Sequence, residues 1–403
     1  MNDLIATYYF KPKAGVTPEY AAQAICEEQT TGTWTDISTV IEKTAYVHAF
    51  DGEVLELAPS GSGFQTKLSF PHEIFEPGNI PQYLSVIAGN LFGLGKLEAV
   101  RLLDIEIPGG LDGTGPEFGI EGIRKISGTE ISRRPHVGTI IKPKVGLTPK
   151  DTAAVAFQAA IGGVDLIKDD ETLTDQKFCP RMERLEMVME ALDRAKDETG
   201  RQVLYALNIT TGGDRILEAA SNAVKAGANM LMVDVLTAGF SAVQCLASDP
   251  SINVPIHVHR TMHGALTRNP EHGIAMRPIA KLVRVCGGDQ LHTGTVSGKM
   301  GGKADEILGD NKALTSPAGK LLPVFPVASG GLHPGKVHAE IITLGNEIVL
   351  QAGGGIHGHP DGTAAGASAM RQAVDAALAG VSAKEYAKTH SELQKALDIW
   401  GSV

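Results

Sequence analysis

GGVDLIKDDE, residues 162–171, is the stretch on which the fold turns. It follows a helix-like run, TPKDTAAVAFQAAIGG (148–163), that ends in two glycines. A short apolar run comes next, and then Lys168, Asp169, Asp170 and Glu171 arrive together. Helix, glycine stop, apolar strand and polar strand end make up one unit of a parallel sheet covered on both faces. The apolar part recurs as VGTII (137–141), VDLI (164–167), VLYALNI (203–209), MLMVDV (230–235), PIHVHR (255–260), QLHTGT (290–295), LPVFPVA (322–328) and EIVLQA (347–352), with helix-like stretches between. Eight such units fit a (β/α)8 TIM barrel. A doubly wound open sheet is the weaker alternative, because no G-x-G-x-x-G follows the first strand.

Ahead of the barrel the texture differs. TYYF (7–10), TAYVHAF (44–50) and VRLLDIEIP (100–108) read as strands, and residues 17–29 and 81–93 as helices. GGLDGTGPEFG (109–119) reads as a linker. The expected organisation is α/β: a smaller N-terminal α+β domain over 1–115 and a C-terminal catalytic barrel over 116–403.

Composition narrows the function. The net charge of −10 disfavours nucleic acid and anionic membranes as partners, since both need a concentrated positive field. No apolar run reaches the roughly 18 residues of a membrane span, and the start carries no signal-type core. Cys26, Cys179, Cys245 and Cys286 are scattered, which argues against thiolate zinc and for a reducing compartment. A soluble cytoplasmic protein is expected.

A barrel places its chemistry at the C-terminal ends of its strands. Those ends carry Lys142 and Lys144, then the KDDE cluster, Asn208, His259 with Arg260, His292, Ser329 to Gly331, and Gly353 to Gly355. On a strand Lys168 and Asp170 share a face, and Glu171 follows at the turn. Carboxylates are hard ligands suited to Mg²⁺, whereas an ammonium would repel the ion. Two readings stay open. In one, Lys168 is an ion-pair partner in a charged turn. In the other it reacts with CO2 to give a carbamate. The charge of Lys168, Asp170 and Glu171 then passes from −1 to −3, and a divalent ion returns it to −1. Asp169, on the opposite face, is expected to be structural.

The glycine runs after strands 7 and 8 suit a phosphate held on backbone N–H groups. Arg260, His259, His263 and His292 suit a second anion, so a sugar bisphosphate is plausible. The loop HTGTVSGKMGGK (292–303) suits a lid carrying Lys299, and the Lys142–Lys144 pair suits proton transfer.

These segments together resemble the ribulose-1,5-bisphosphate carboxylase/oxygenase (RuBisCO) large-chain family over nearly the whole chain, and most of all its archaeal form III members. GGVDLIKDDE resembles the family's metal segment, which implies a carbamylated Lys168 and, with Asp170 and Glu171, the Mg²⁺ ligands. GTIIKPK implies Lys142 as a proton-shuttling lysine, with Lys144 supporting the site. HRTMH, HTGTVSGK, ASGG and QAGGG imply a catalytic His259, a lid Lys299, and substrate contacts at Arg260, His292, Ser329, Gly330, Gly331, Gly353 and Gly354. EEQTTGTWTD and GNLFG imply substrate contacts at Glu28, Thr33, Trp34 and Asn90, reaching the barrel of a second subunit. The implied enzyme is a homodimer, or a multiple of dimers, with shared active sites. Its implied reaction is Mg²⁺-dependent enolisation of ribulose 1,5-bisphosphate followed by CO2 addition, giving two 3-phosphoglycerates, with oxygenation on the side. The alternative is a RuBisCO-like enolase, isomerase or decarboxylase acting on another sugar phosphate.

Overall fold

The computed structural model describes residues 3–32, 44–109, 113–297 and 304–402. They form two compact units, Met1–Gly115 with Met262–Cys286, and Pro116–Thr261 with Gly287–Val403. The segment 262–286 therefore clusters with the first unit, although the sequence suggests one continuous barrel from 116 onwards.

The first unit is built on β1 (Leu4–Pro12), β2 (Glu53–Ser60), β3 (Gly63–Phe70) and β4 (Leu97–Glu106). β1 pairs antiparallel with β3 on one side and β4 on the other, and β2 is the outer partner of β3. Alternate residues of β1, from Leu4 through Ala6 and Tyr8 to Phe10, are buried. The helix Pro18–Glu28 starts on a Thr17 cap with a proline in its first turn, as a helix start should.

One expectation fails here. TAYVHAF was expected as a strand, but Thr44–His48 is a short helix. Its aromatic and charged residues meet at helical spacing: the Tyr46 and Phe50 rings pack edge to face at 5.2 Å, and His48 Nδ1 lies 2.7 Å from Asp51. Contacts between residues three and four apart need a helical turn and would be lost in an extended chain.

The second unit is the barrel. Its strands are β5 (His136–Ile140), β6 (Leu166–Lys168), β7 (Leu204–Asn208), β8 (Met230–Asp234) and β9 (Ile256–His259); then, after β10 (Gly273–Ile274), which pairs in parallel with β4 in the first unit, β11 (Gln290–His292), β12 (Phe325–Ser329) and β13 (Val349–Ala352). Parallel pairing runs from β5 through β9 to β11, β12 and β13 and back to β5, closing an eight-stranded barrel. Each of the eight apolar runs of the sequence holds one of these strands.

GGVDLIK explains its own geometry. Helix Pro149–Gly162 begins with a Thr148–Asp151 capping box and stops at Gly163, which is left-handed at φ +108°. A side chain on Gly162 would put its Cβ 2.3 Å from the Ala364 carbonyl, so glycine lets this helix approach helix Thr363–Leu378. Leu166 and Ile167 are then fully buried.

The N-terminal end of the barrel is closed. Helix Gly119–Ser127 packs Ile120 and Ile123 on Leu166, Leu204, Met230, Phe325 and Val349, the first residues of five strands. Asp289 accepts from the Phe118 and Gly119 N–H groups at 2.9 and 2.8 Å, satisfying the start of that helix. With this end plugged, the strand termini at the other end are the accessible ones. Among the described residues no helix is long and apolar enough to cross a membrane.

Candidate active site

Lys168 is the last residue of β6 and is fully buried. Its Nζ donates to the Asp169 carbonyl at 2.8 Å and to Glu171 Oε2 at 3.4 Å. Burial lowers its pKa, against the upward pull of Glu171 and Asp170. The neutral amine is the form that attacks CO2, and burial shifts Lys168 in that direction.

The acids divide by direction. Asp170 Oδ2 accepts from Lys142 Nζ at 2.8 Å and its Oδ1 from the Thr172 hydroxyl at 2.8 Å. Burial would raise its pKa, but Lys142 and Thr172 hold it low. Glu171 Oε2 lies 3.6 Å from His259 Nε2. Asp169 turns away, as its place on the strand implies. It accepts from Tyr205 Oη at 2.6 Å, from Arg184 Nη2 at 3.1 Å and from the Asn208 N–H at 2.9 Å. Asn208 Nδ2 bonds the carbonyls of Asp170 and Glu171 at 3.3 and 3.2 Å and so fixes the turn.

The donor set bears on the metal. Among the described residues no three His, Cys, Asp or Glu side chains group to hold an ion. Asp170 and Glu171 supply two carboxylates, and buried Lys168 lies 3.4 Å from Glu171. Only as a carbamate does that lysine add an oxygen donor, and the trio then fits a hard ion such as Mg²⁺.

Beside this cluster lies a cavity of about 610 Å³ lined by Lys142, Gly330, Gly331, Gln351, Gly353 and Gly354, among others. Gly330 and Gly331 take φ of +119° and +71°, which bends the backbone into a concave turn suited to an anion. A Cβ on Gly353 would come within 3.2 Å of Lys142 Cε, so a glycine there leaves room for the lysine stem. The amide of Gln351 is buried with neither Oε1 nor Nε2 bonded among the described residues. Gly138 makes its space: a Cβ there would sit 2.0 Å from Gln351 Oε1.

The third side of the mouth is a row of imidazoles. Gln290 Oε1 lies 2.7 Å from His257 Nδ1, His257 Nε2 lies 2.8 Å from His292 Nε2, and His292 Nδ1 lies 2.6 Å from Ser329 Oγ. Burial holds both rings neutral, lowering His257 to about 3 and His292 well below the ordinary histidine value. The Arg260 guanidinium is lowered to about 10 by burial, against the pull of Asp310.

Lys142, Lys168, Asp170, Glu171 and His259 thus form one connected cluster. Ser329 and His292 bond each other, and Gly330, Gly331, Gly353 and Gly354 line the adjoining cavity. Lys144 is exposed. Glu28 ends the helix Pro18–Glu28 and Asn90 opens the 3-10 turn Asn90–Gly93, both in the first unit, as is His263. Thr33, Trp34 and Lys299 lie outside the described residues. Sequence reasoning passed over Gln351, the His257–Gln290 pair and Asp234. Asp234 ends β8, the one strand end left blank, and burial lifts its carboxyl to about 6 against the Thr237 hydroxyl bond. Its signal was available: an acid closing the apolar run MLMVD mirrors the acids closing LIK.

A closed parallel barrel, plugged below and carrying a lysine–dicarboxylate cluster beside a glycine-lined cavity above, defines an enzyme of the TIM-barrel class. Residues 1–111 match the family described as the ribulose bisphosphate carboxylase large chain, N-terminal domain, and residues 120–400 match its catalytic domain. The chain belongs to the ribulose bisphosphate carboxylase (RuBisCO) large-chain family. It is 43% identical to the ribulose bisphosphate carboxylase of Pyrococcus furiosus over 99% of this chain and 94% of that one. The Methanosarcina barkeri ribulose bisphosphate carboxylase is 41% identical over 99% and 96%. Among solved structures, octameric Rubisco from Pyrococcus horikoshii in complex with sulfate superposes with a TM-score of 0.93 at 41% identity, covering 99% and 94% of the two chains. Dimeric archaeal Rubisco from Hyperthermus butylicus gives 0.90 at 38% identity, covering 100% and 96%.

Proposed function

We propose that this chain carboxylates ribulose 1,5-bisphosphate to two molecules of 3-phosphoglycerate. The observation that carries the reading is the contiguity of three things: buried Lys168 with Asp170 and Glu171, Lys142 paired to Asp170, and the glycine-lined cavity that Lys142 also borders. Lys168, as its carbamate, with Asp170 and Glu171 would hold Mg²⁺, which when bound would draw electron density from the sugar's C2 carbonyl and C3 hydroxyl.

The remaining work falls to protein groups. Gly330, Gly331, Gly353 and Gly354 would seat one phosphate on backbone N–H groups, and Arg260 and His292 would face the other end of the sugar. His259, 3.6 Å from Glu171, would relay protons during enolisation. Lys142 would deliver the proton to the final carbanion, and its bond to Asp170 would exchange for this role. Lys299 would stabilise the new carboxylate. The enediolate that adds CO2 is also open to O2, so oxygenation is expected as a side reaction. Glu28, Thr33, Trp34 and Asn90 would complete the site of a second subunit, with Lys144 in support, which makes a dimer the smallest active assembly. Residues 1–115 and 116–403 would be the corresponding domains, in the cytoplasm.

The test is fixation of ¹⁴CO2 with ribulose 1,5-bisphosphate and Mg²⁺ after preincubation in bicarbonate. Acid-stable label in 3-phosphoglycerate is expected, and its absence would sink the proposal. Lys299→Ala should keep C3 proton exchange and lose label incorporation; equal loss of both would contradict a lid role.

A further inference from the structure

The row Gln290–His257–His292–Ser329 spans three neighbouring strands, β9, β11 and β12, at the mouth of the barrel. Gln290, His257 and His292 are almost completely buried, with exposures of 0, 0 and 2%. Three buried polar groups leading to a part-buried fourth are costly unless each bond is made in a consistent direction. The direction can be worked out from one end. Gln290 turns Oε1 to His257, and an amide oxygen only accepts. His257 therefore carries its proton on Nδ1, which leaves Nε2 as an acceptor. His292 must then donate from Nε2, which leaves its Nδ1 as an acceptor. Ser329 must donate its hydroxyl proton to that nitrogen. Both rings are neutral in this arrangement, consistent with the burial that disfavours imidazolium at each.

The consequence falls on Ser329. A hydroxyl has one proton and two lone pairs. With the proton committed to His292, the oxygen can offer only lone pairs to the mouth. Were Gln290 to present its nitrogen instead, every bond in the row would reverse and Ser329 would become a donor.

We propose that His257, anchored by Gln290, is a positioning residue that fixes His292 as the Nε2–H tautomer and thereby makes Ser329 an acceptor for a hydroxyl group of the substrate. This rests on the reading of the mouth as a sugar bisphosphate site. His257 has no reactive role of its own: it acts through His292.

The test has two arms. In the first, the ¹⁵N-histidine-labelled full-length protein is examined by NMR without substrate, with His292 assigned by loss of its signals in His292→Asn. A protonated Nε2 and a bare Nδ1 are expected. In the second, His257→Leu, which cannot hydrogen-bond, is compared with His257→Gln, whose amide oxygen can still accept from His292. His257→Leu should lose the tautomer preference and raise KM about tenfold with kcat little changed, the equivalent of one misdirected hydrogen bond of about 1.4 kcal/mol. His257→Gln should stay within about threefold of the parent, since it keeps that bond. A His292 protonated on Nδ1 in the parent would overturn the proposal, as would a His257→Leu protein with unchanged tautomer or an equal rise in KM in both variants. The first arm uses no substrate, so it stands even if the protein acts on a different sugar phosphate. If His257→Leu does not fold, the parent spectrum and the His257→Gln kinetics still decide.

Discussion

The two ends of the barrel are both rich in charge, and they use it differently. At the N-terminal end Asp165 and Arg124 meet matched partners. Asp165 accepts from both Arg134 amino groups at 2.8 and 2.7 Å, from the Val137 N–H at 2.9 Å and from Arg371. Arg124, fully buried, is held by Glu347 and by the carbonyls of Arg134 and Asn346. At the C-terminal end Asp169 and Asp170 are well bonded, but two of their neighbours are less completely so. Among the described residues the Lys168 ammonium bonds a carbonyl at 2.8 Å and a carboxylate at 3.4 Å, and the Gln351 side-chain amide has no partner. Asp165 at the lower end is bonded on both oxygens, whereas Lys168 and Gln351 at the upper end keep bonding capacity in hand. Incomplete pairing at comparable burial is what separates a site from a strut in this chain.

That contrast can be broken by substitution. Lys168→Ala should fold normally and lose three or more orders of magnitude in CO2 fixation, read by label incorporation with circular dichroism as the folding control. Asp165→Asn should do the reverse. Removing one partner of a buried ion pair costs about 3–5 kcal/mol of stability, measurable by urea unfolding, and should leave the KM of the surviving folded fraction unchanged.

The lower network also carries a pH signature. Burial opposes ionisation of Asp165, but Arg371, His136 and Arg134 outweigh it and hold the carboxyl well below the usual range. A depressed carboxylate contributes stability above its unfolded pKa of about 4 and loses it as the pH falls further. His136, lowered to about 4 by burial, begins to cost stability earlier, as the pH falls below about 6.5. Acid unfolding should therefore show two regions, and Asp165→Asn should remove the lower one. An unchanged lower limb in that variant would assign it to other acids.

Smaller effects sharpen the upper end. Lys142→Met keeps the stem but frees Asp170; it should lower turnover by about 10²–10⁴-fold if Lys142 transfers a proton. A mere rise in KM would make it a binding residue instead. Gly138→Ala pushes against the Gln351 amide without touching the cluster, and should raise KM about tenfold at nearly constant kcat. No change in KM would remove Gln351 from the substrate's surroundings.

The parts of the molecule legible in the sequence share one property: they are local. Each barrel strand is a continuous apolar run because both its faces are buried, and each βα turn follows its strand directly, so VDLIKDDE announces both the strand and the charged cluster at its end. The unread parts depend on neighbours far away in the chain. β2 lies at the edge of its sheet with little buried surface, so the apolar residues of EVLELAPS follow no strict alternation. Gln351 matters because Gly138, on another strand, makes room for it. His257 matters because Gln290 stands opposite. TAYVHAF misled because its β-type residues suggest a strand, whereas side-chain contacts three and four apart hold it helical.

The short strand β10 has a consequence for how the protein is made. Its segment, 262–286, clusters with the first unit, yet it is translated after β5 to β9 and before β11 to β13. On the ribosome the first sheet is one strand short until Ile274 emerges, by which time five of the eight barrel strands already exist. The chain passes from one unit to the other at residues 115–116, 261–262 and 286–287, so cleavage in the glycine-rich linker alone leaves both units joined by covalent bonds. Neither unit is finished before the other begins, and assembly during synthesis is interleaved rather than sequential.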